Sequence, residues 1–380
     1  MAIRHYQRSL HFFISRATTR KTSSALLAAI VLLILLMLNP KPDGIKSENT
    51  LSIPLGSNLD AGGNRSGKES SFIVANYNQS VDGSMTLHRL MTSKVIPYGS
   101  SIGQVGMIRT SGGSWIGAES FGFDSEGNLA IGDLINRRML FFSENGEFIA
   151  ATDLSGFVIN DFFVDSCNQI YVFSQSEMAL VQYNSRGSEI AALSLSGLIN
   201  TRGYFHLEGD SVYHAEACER DVLIGKIKEG KLRGLTESEG MKTEGIVTES
   251  GCACLVKISR LKAVSLSVSP LNGDQALECK IDTPGVVSAR FIGEDKHLNR
   301  YVQIERIHEG TDHQILLSVI KFDKSGAHST FECAENDYES WTSRLLVVRK
   351  DGAVLQFIPQ RRQAKINLYK DFQIQLPLSQ

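Results

Sequence analysis

Residues 120–149 read SFGFDSEGNLAIGDLINRRMLFFSENGEFI and divide into four short apolar runs separated by three turns. Residues 120–123 form the first run, 128–132 the second, 138–142 the third and 147–150 the fourth. The turns contain Asp124 and Gly127, then Asp133, Asn136 and Arg137, then Asn145 and Gly146. Gly and Asn tolerate positive φ, and Asp bonds its own backbone, so each turn carries the chemistry that reverses a strand. Runs this short, bounded this way, are strands.

The pattern returns 41 residues later: Phe121 corresponds to Phe162, Asp124 to Asp165, Leu129 to Ile170, Ile131 to Val172, Phe142 to Tyr183, Gly146 to Gly187 and Ile149 to Ile190. One small twisted sheet buries its two faces only between neighbouring sheets, so four strands per unit at this period imply a closed ring of blades. Worn copies follow at 205–232, at 251–277 with a turn at Asn272-Gly273-Asp274, at 320–326, and at the hairpin 345–357 about Asp351-Gly352. Residues 119–376 accommodate six units of about 43 residues each. The expected fold is all-β, a six-bladed β-propeller within 72–380, its last blade completed by a strand at 366–372.

The stretch 121–149 resembles an NHL repeat through Asp124, Gly127, Asn128, Asp133, Asn136, Arg137, Phe142 and Gly146, and 98–109 is similar to the lead-in of bacterial six-bladed propellers of that type. The second unit departs from the family pattern, with Asn168, Ser174, Glu177 and Met178 in place of Gly127, Asp133, Asn136 and Arg137. The resemblance implies an interaction scaffold and no single chemistry.

The N-terminus is organised differently. Arg4, Arg8, Arg16, Arg20 and Lys21 occur with no acidic residue before Asp43, and residues 25–38, ALLAAIVLLILLML, are uninterrupted apolar positions. Residues 22–39 therefore read as a transmembrane signal anchor at the short end of what spans a bilayer. No small-x-small cleavage site follows them. The preceding basic tail, 1–21, puts the N-terminus in the cytoplasm and the body outside. Residues 40–71, rich in Pro, Gly, Ser and Asn, read as a flexible linker. Within it, GGNRSGK at 62–68 matches most of a phosphate loop, but Glu69 replaces the Ser or Thr that would hold magnesium, and no strand–helix context surrounds it.

With 39 Lys plus Arg against 41 Asp plus Glu, the chain lacks the basic balance of a nucleic-acid binder. Asp124, Gly127, Asp133, Asn136, Arg137 and Gly146 read as structural blade-turn residues. His206 and His214, and likewise His308 and His313, lack a helical metal-binding spacing. The six cysteines read as scattered buried thiols; Cys252 and Cys254 face the same side of one strand and cannot bond to each other. If the first strand of each blade lines the channel, its rim includes Glu119, Asp161, Arg202, Arg290 and Trp341. Two carboxylates and two arginines are not a calcium cage, and no nucleophile elbow is present. No catalytic residue, metal ligand or cofactor is assigned. The sequence therefore points to a membrane-anchored, extracytoplasmic binding or scaffold module for a protein or cell-envelope ligand. The alternative is a channel-centred, metal-dependent lactonase- or esterase-like hydrolase or a small-molecule sensor.

Overall fold

The computed structural model describes residues 84–375, apart from 155, 200–202, 217–219, 236–241, 272–275, 308–314 and 337–338. The signal anchor at 22–39, the basic tail, the linker with its glycine-rich stretch, Arg202, His308, His313 and Cys218 lie outside the described residues.

Strand β1 (Ser84–Pro97) is followed by a small hairpin, β2 (Ile108–Arg109) and β3 (Trp115–Ile116). Six antiparallel sheets come next in chain order. Blade 1 is β4 (Ser120–Phe123), β5 (Leu129–Asp133), β6 (Arg138–Phe142) and β7 (Phe148–Asp153). Blade 2 is β8 (Asp161–Val164), β9 (Ile170–Ser174), β10 (Ala179–Tyr183) and β11 (Glu189–Ser194). Blade 3 is β12 (Gly203–Glu208), β13 (Ser211–Glu216), β14 (Arg220–Lys228) and β15 (Lys231–Gly234), with β16 (Lys242–Glu244) paired onto β14. Blade 4 is β17 (Ile246–Val247), β18 (Cys252–Ser259), β19 (Ala263–Pro270) and β20 (Leu277–Asp282). Blade 5 is β21 (Val286–Glu294), β22 (Arg300–Ile307), β23 (Ile315–Phe322) and β24 (His328–Glu332). Blade 6 is β25 (Leu346–Val348), β26 (Val354–Pro359), β27 (Gln363–Gln375) and, as its outermost strand, β1.

The ring follows from packing. Buried apolar clusters join every pair of consecutive sheets: Ala130 and Met139 of blade 1 with Phe162 and Val172 of blade 2, Tyr171 and Phe173 with Phe205 and Val212, Tyr213 with Val247. The circuit continues with Val264 and Leu266 against Phe291 and Val302, then Leu317 and Phe331 against Leu346 and Tyr369. It closes where Phe121 of blade 1 meets Phe357 of blade 6, ring centroids 5.4 Å apart. The molecule is thus a six-bladed β-propeller.

Closure differs from the sequence-based expectation in one respect. The strand expected at 366–372 is present within β27, but it is the third strand of blade 6; the fourth comes from the other end of the chain, with Ser84 opposite Gln375 and Pro97 opposite Gln363. A ring closed by strands from both ends cannot open without breaking a full antiparallel ladder, and β1 covers the edge that β27 would otherwise present.

The turn at Asn272-Gly273-Asp274 lies outside the described residues. Asp124 Oδ1 accepts the N–H groups of Glu126 (2.9 Å) and Asn128 (2.8 Å), and Asp165, Asp295 and Asp323 repeat this i+2, i+4 arrangement. Asn168, which stands where the first unit has Gly127, adopts φ +58° against +82° for the glycine, a left-handed turn that Asn tolerates. Met178 and Arg137 likewise share that region, at +47° and +54°. The second blade therefore keeps the backbone of the first while changing its side chains.

In each blade the connection from the previous outermost strand arrives at the same end of the ring, here the connector face, together with the turns between second and third strands. The other turns lie on the opposite turn face. Because β1 runs antiparallel to β27, Ser84 enters at the turn face. Across the seam of blades 1 and 6 on that face, Arg349 and Lys370 of blade 6 pair with Glu144 of blade 1, Arg349 at 3.4 Å, while Arg349 also pairs with Asp351 of its own turn (2.6 Å). The Arg349 hydrogen bond holds the Asp351 carboxyl down to about 2. Among the described cysteines, all free, Cys254 and Cys279 are buried and Cys252 and Cys333 half-buried, but Cys167 is exposed on the turn after β8, unlike the buried thiol expected there.

Candidate functional site

The first residues of the inner strands converge at the connector end of the channel. Asp161, 2% exposed, opens β8 and takes three donors: Ser120 Oγ at 2.5 Å, Phe205 N–H at 2.6 Å and Arg344 Nη2 at 3.1 Å. Arg344 precedes the inner strand of blade 6 and crosses to the opposite blades, donating also to the carbonyls of Phe162 (3.1 Å) and Phe205 (3.5 Å), with its guanidinium 4.8 Å from the Tyr204 ring centroid. Side chains from blades 1 and 6 and a backbone N–H from blade 3 thereby meet on the one carboxylate of blade 2. A carboxylate with its lone pairs so occupied in a nearly dry place is a brace.

Glu119 lies beside this brace. Asn160 Nδ2 donates to it at 2.9 Å, and its backbone carbonyl accepts from Ser343 N–H at 2.7 Å. Burial pushes its carboxyl above the usual range, the Asn160 hydrogen bond opposes that, and the Asp161 charge adds to it. Arg290 reaches the Ser343 carbonyl at 3.4 Å. Of the expected rim residues, Glu119 and Asp161 are therefore adjacent, Arg290 joins them through Ser343, and Trp341 stands outside, 65% exposed. Among the described residues, no group of three or more His, Cys, Asp or Glu side chains is placed to hold a metal ion.

The turn after β5 organises the lead-in. Asp133, fully buried, accepts Gly106 N–H (3.0 Å), Asn136 N–H (3.2 Å) and Arg138 Nε (3.1 Å). Asn136 Nδ2 donates to the Gly99 carbonyl at 3.0 Å, and Arg138 donates to the carbonyls of Ser100, Ser101 and Gln104. The arginine that fastens the lead-in is Arg138, one residue beyond the one singled out from sequence; Arg137 occupies the left-handed turn position and is exposed.

This fastened segment carries the hairpin β2–β3, where the Arg109 guanidinium lies 5.9 Å from the Trp115 ring centroid. A side-chain carbon at Gly117 would sit 3.5 Å from the Gly106 carbonyl oxygen and 3.6 Å from both Met107 and Ser340, so the hairpin stem packs directly against the segment bearing Trp341. Ile108, 48% exposed, and Ile102, 74% exposed, belong to the same lead-in.

Blade 3 holds a polar cluster that sequence reading did not assemble. His206 Nε2 lies 2.9 Å from Asp221 Oδ2, which also accepts Val247 N–H at 2.6 Å and so stitches blade 3 to blade 4. The other ring nitrogen faces Glu208 at 3.5 Å, and the ring stacks on Tyr213 with centroids 5.4 Å apart. Burial opposes charge on His206, but the Asp221 and Glu208 carboxylates outweigh it and raise its pKa to about 10. A folded pKa above the unfolded value of about 6.5 means a stabilisation complete below that pH and lost as pH climbs through about 10. Accordingly, Tm should fall from pH 7 to 10 more steeply for the native chain than for His206→Gln; parallel curves would show that the imidazolium contributes nothing.

No protein-family model matches the sequence, and no curated protein matches it. Solved structures share the architecture remotely. A DUF4221-family member from Bacteroides vulgatus covers 77% of this chain and 100% of its own at 10% identity and TM-score 0.44. A putative exported protein from Bacteroides fragilis covers 74% and 95% at 8% identity and TM-score 0.41. BamB from Moraxella catarrhalis covers 75% and 100% at 10% identity and TM-score 0.35. Likenesses this distant say nothing about chemistry.

Proposed function

We propose that the chain is an extracytoplasmic binding module, held at a membrane by residues 22–39, whose connector face engages a protein or envelope-polymer partner. The observation that carries this reading is the placement of aromatic surface. The chain has two tryptophans, and both stand on the connector face beside the channel mouth, Trp341 largely exposed and Trp115 half-buried under Arg109. Large exposed aromatics on rigidly held loops are the residues from which interfaces draw most of their energy. The anchor rests on the apolar run and the basic residues before it. Trp341→Ala should leave Tm unchanged and abolish co-purification of the partner retained by the native chain from solubilised membranes. Retention of every partner by a folded Trp341→Ala protein would overturn the reading.

One observation favours a channel-centred hydrolase instead: burial holds Glu119 towards its protonated form, the state a general acid needs. That reading requires an ester- or lactone-cleaving activity lost in Glu119→Gln with the fold intact.

A further inference from the structure

The connector face carries charge as well as indole. Exposed Arg109 lies on the lead-in hairpin, exposed Arg137 on the turn after β5, and exposed Arg361 and Arg362 on the turn between β26 and β27. These three elements adjoin. Asn136 bonds the Gly99 carbonyl, and Pro97, from which the lead-in departs, pairs with Gln363. In this sector of blades 6 and 1, the four exposed guanidinium groups face two exposed carboxylates among the described residues, Asp153 and Glu335. The chain enters the ring at Ser84 on the opposite face.

We propose that the partner presents an acidic segment of polypeptide to this sector, with carboxylates against the arginines and apolar side chains against Trp341 and Ile108. This rests on the binding reading above and names its chemistry. Guanidinium groups take carboxylates bidentately, and Trp with Arg is the composition of protein hot spots. Exposed Ile108 favours protein over polysaccharide, because a sugar polymer stacks on aromatic faces and gains little from a branched aliphatic one. The low overall net charge of −2 makes this local excess of guanidinium the steering feature.

Because both tryptophans border the sector, indole fluorescence of the full chain in detergent reports on it directly. The probes are a synthetic Glu/Leu peptide, polygalacturonate, and phosphatidylcholine vesicles containing phosphatidylglycerol. The peptide should shift the emission, with affinity falling as salt rises and about tenfold lower in Arg361→Glu/Arg362→Glu. Arg109→Glu gives a second variant should the pair fail to fold. Equal peptide affinity in folded charge variants, or a response to polygalacturonate or vesicles without one to the peptide, overturns the proposal. If Trp341→Ala loses the native partner while the folded arginine variants keep it, the acidic-segment proposal fails and the binding reading stands.

Discussion

Replacing Arg344 with Ala is expected to destabilise the propeller by about 3 kcal/mol, the scale on which removing one partner of a buried ion pair operates. Asp161, 2% exposed, would keep Ser120 and the Phe205 N–H but lose its Arg344 ion pair, its one cationic partner among the described residues. For a body of about 300 residues, with an unfolding entropy of about 2.1 cal/mol/K per residue, that corresponds to a Tm lower by roughly 5 °C. Arg344→Lys should recover only part of the loss, since an ammonium cannot serve Asp161 and the carbonyls of Phe162 and Phe205 with the same planar fork. Asp161→Asn combined with Arg344→Leu should be less damaging than the sum of the two changes, because each residue's cost is largely that of stranding the other. Strict additivity would show that the two do not act as a unit.

The larger effect belongs to ring closure. Deleting residues 364–380 removes most of β27, the strand lying between β26 and β1, so both of its ladders are lost together. Such a chain should fail to give a cooperative thermal transition, whereas a chain beginning at residue 71 should unfold as the full body does. Beginning instead at residue 98 removes β1; it bares the β27 edge and takes out of the core Ile96, 2% exposed in the ring and clustered with Ala364 and Ile366. That product should melt well below the one beginning at 71 and associate in solution. Equal melting of the chains starting at 71 and 98 would show that β1 is dispensable.

How far sequence reached this picture is clear from particular residues. Blades 1 and 2 were legible because their turns spell out their own chemistry: Asp124 and Asp165 each bond amides two and four residues on, and that signal is local. In blade 4 the corresponding turn is built on Thr248, whose hydroxyl meets Ser250 and the Cys252 carbonyl, and the Asx signature fades accordingly. Strand β1 left no mark because an outermost strand is partly exposed and its partner lies at the far end of the chain. Asp161 was identifiable by its place at the head of an inner strand. Arg344 was not, since it meets that carboxylate across 183 positions of sequence and no spacing rule connects them. Trp341, expected at the rim, stands outside it, 65% exposed beside the hairpin carrying Trp115.

Under the proposed function, the connector face is the one a partner covers in membranes. Hydroxyl-radical footprinting of the native chain tests it directly, comparing intact membranes with the purified protein. Trp341 and Ile108, 65% and 48% exposed in the free chain, should be protected in membranes, while Leu271 and Leu298 at the opposite turns, 45% and 40% exposed, should oxidise equally in both. Equal oxidation of Trp341 in both preparations, with protection confined to Leu271 and Leu298, would contradict it.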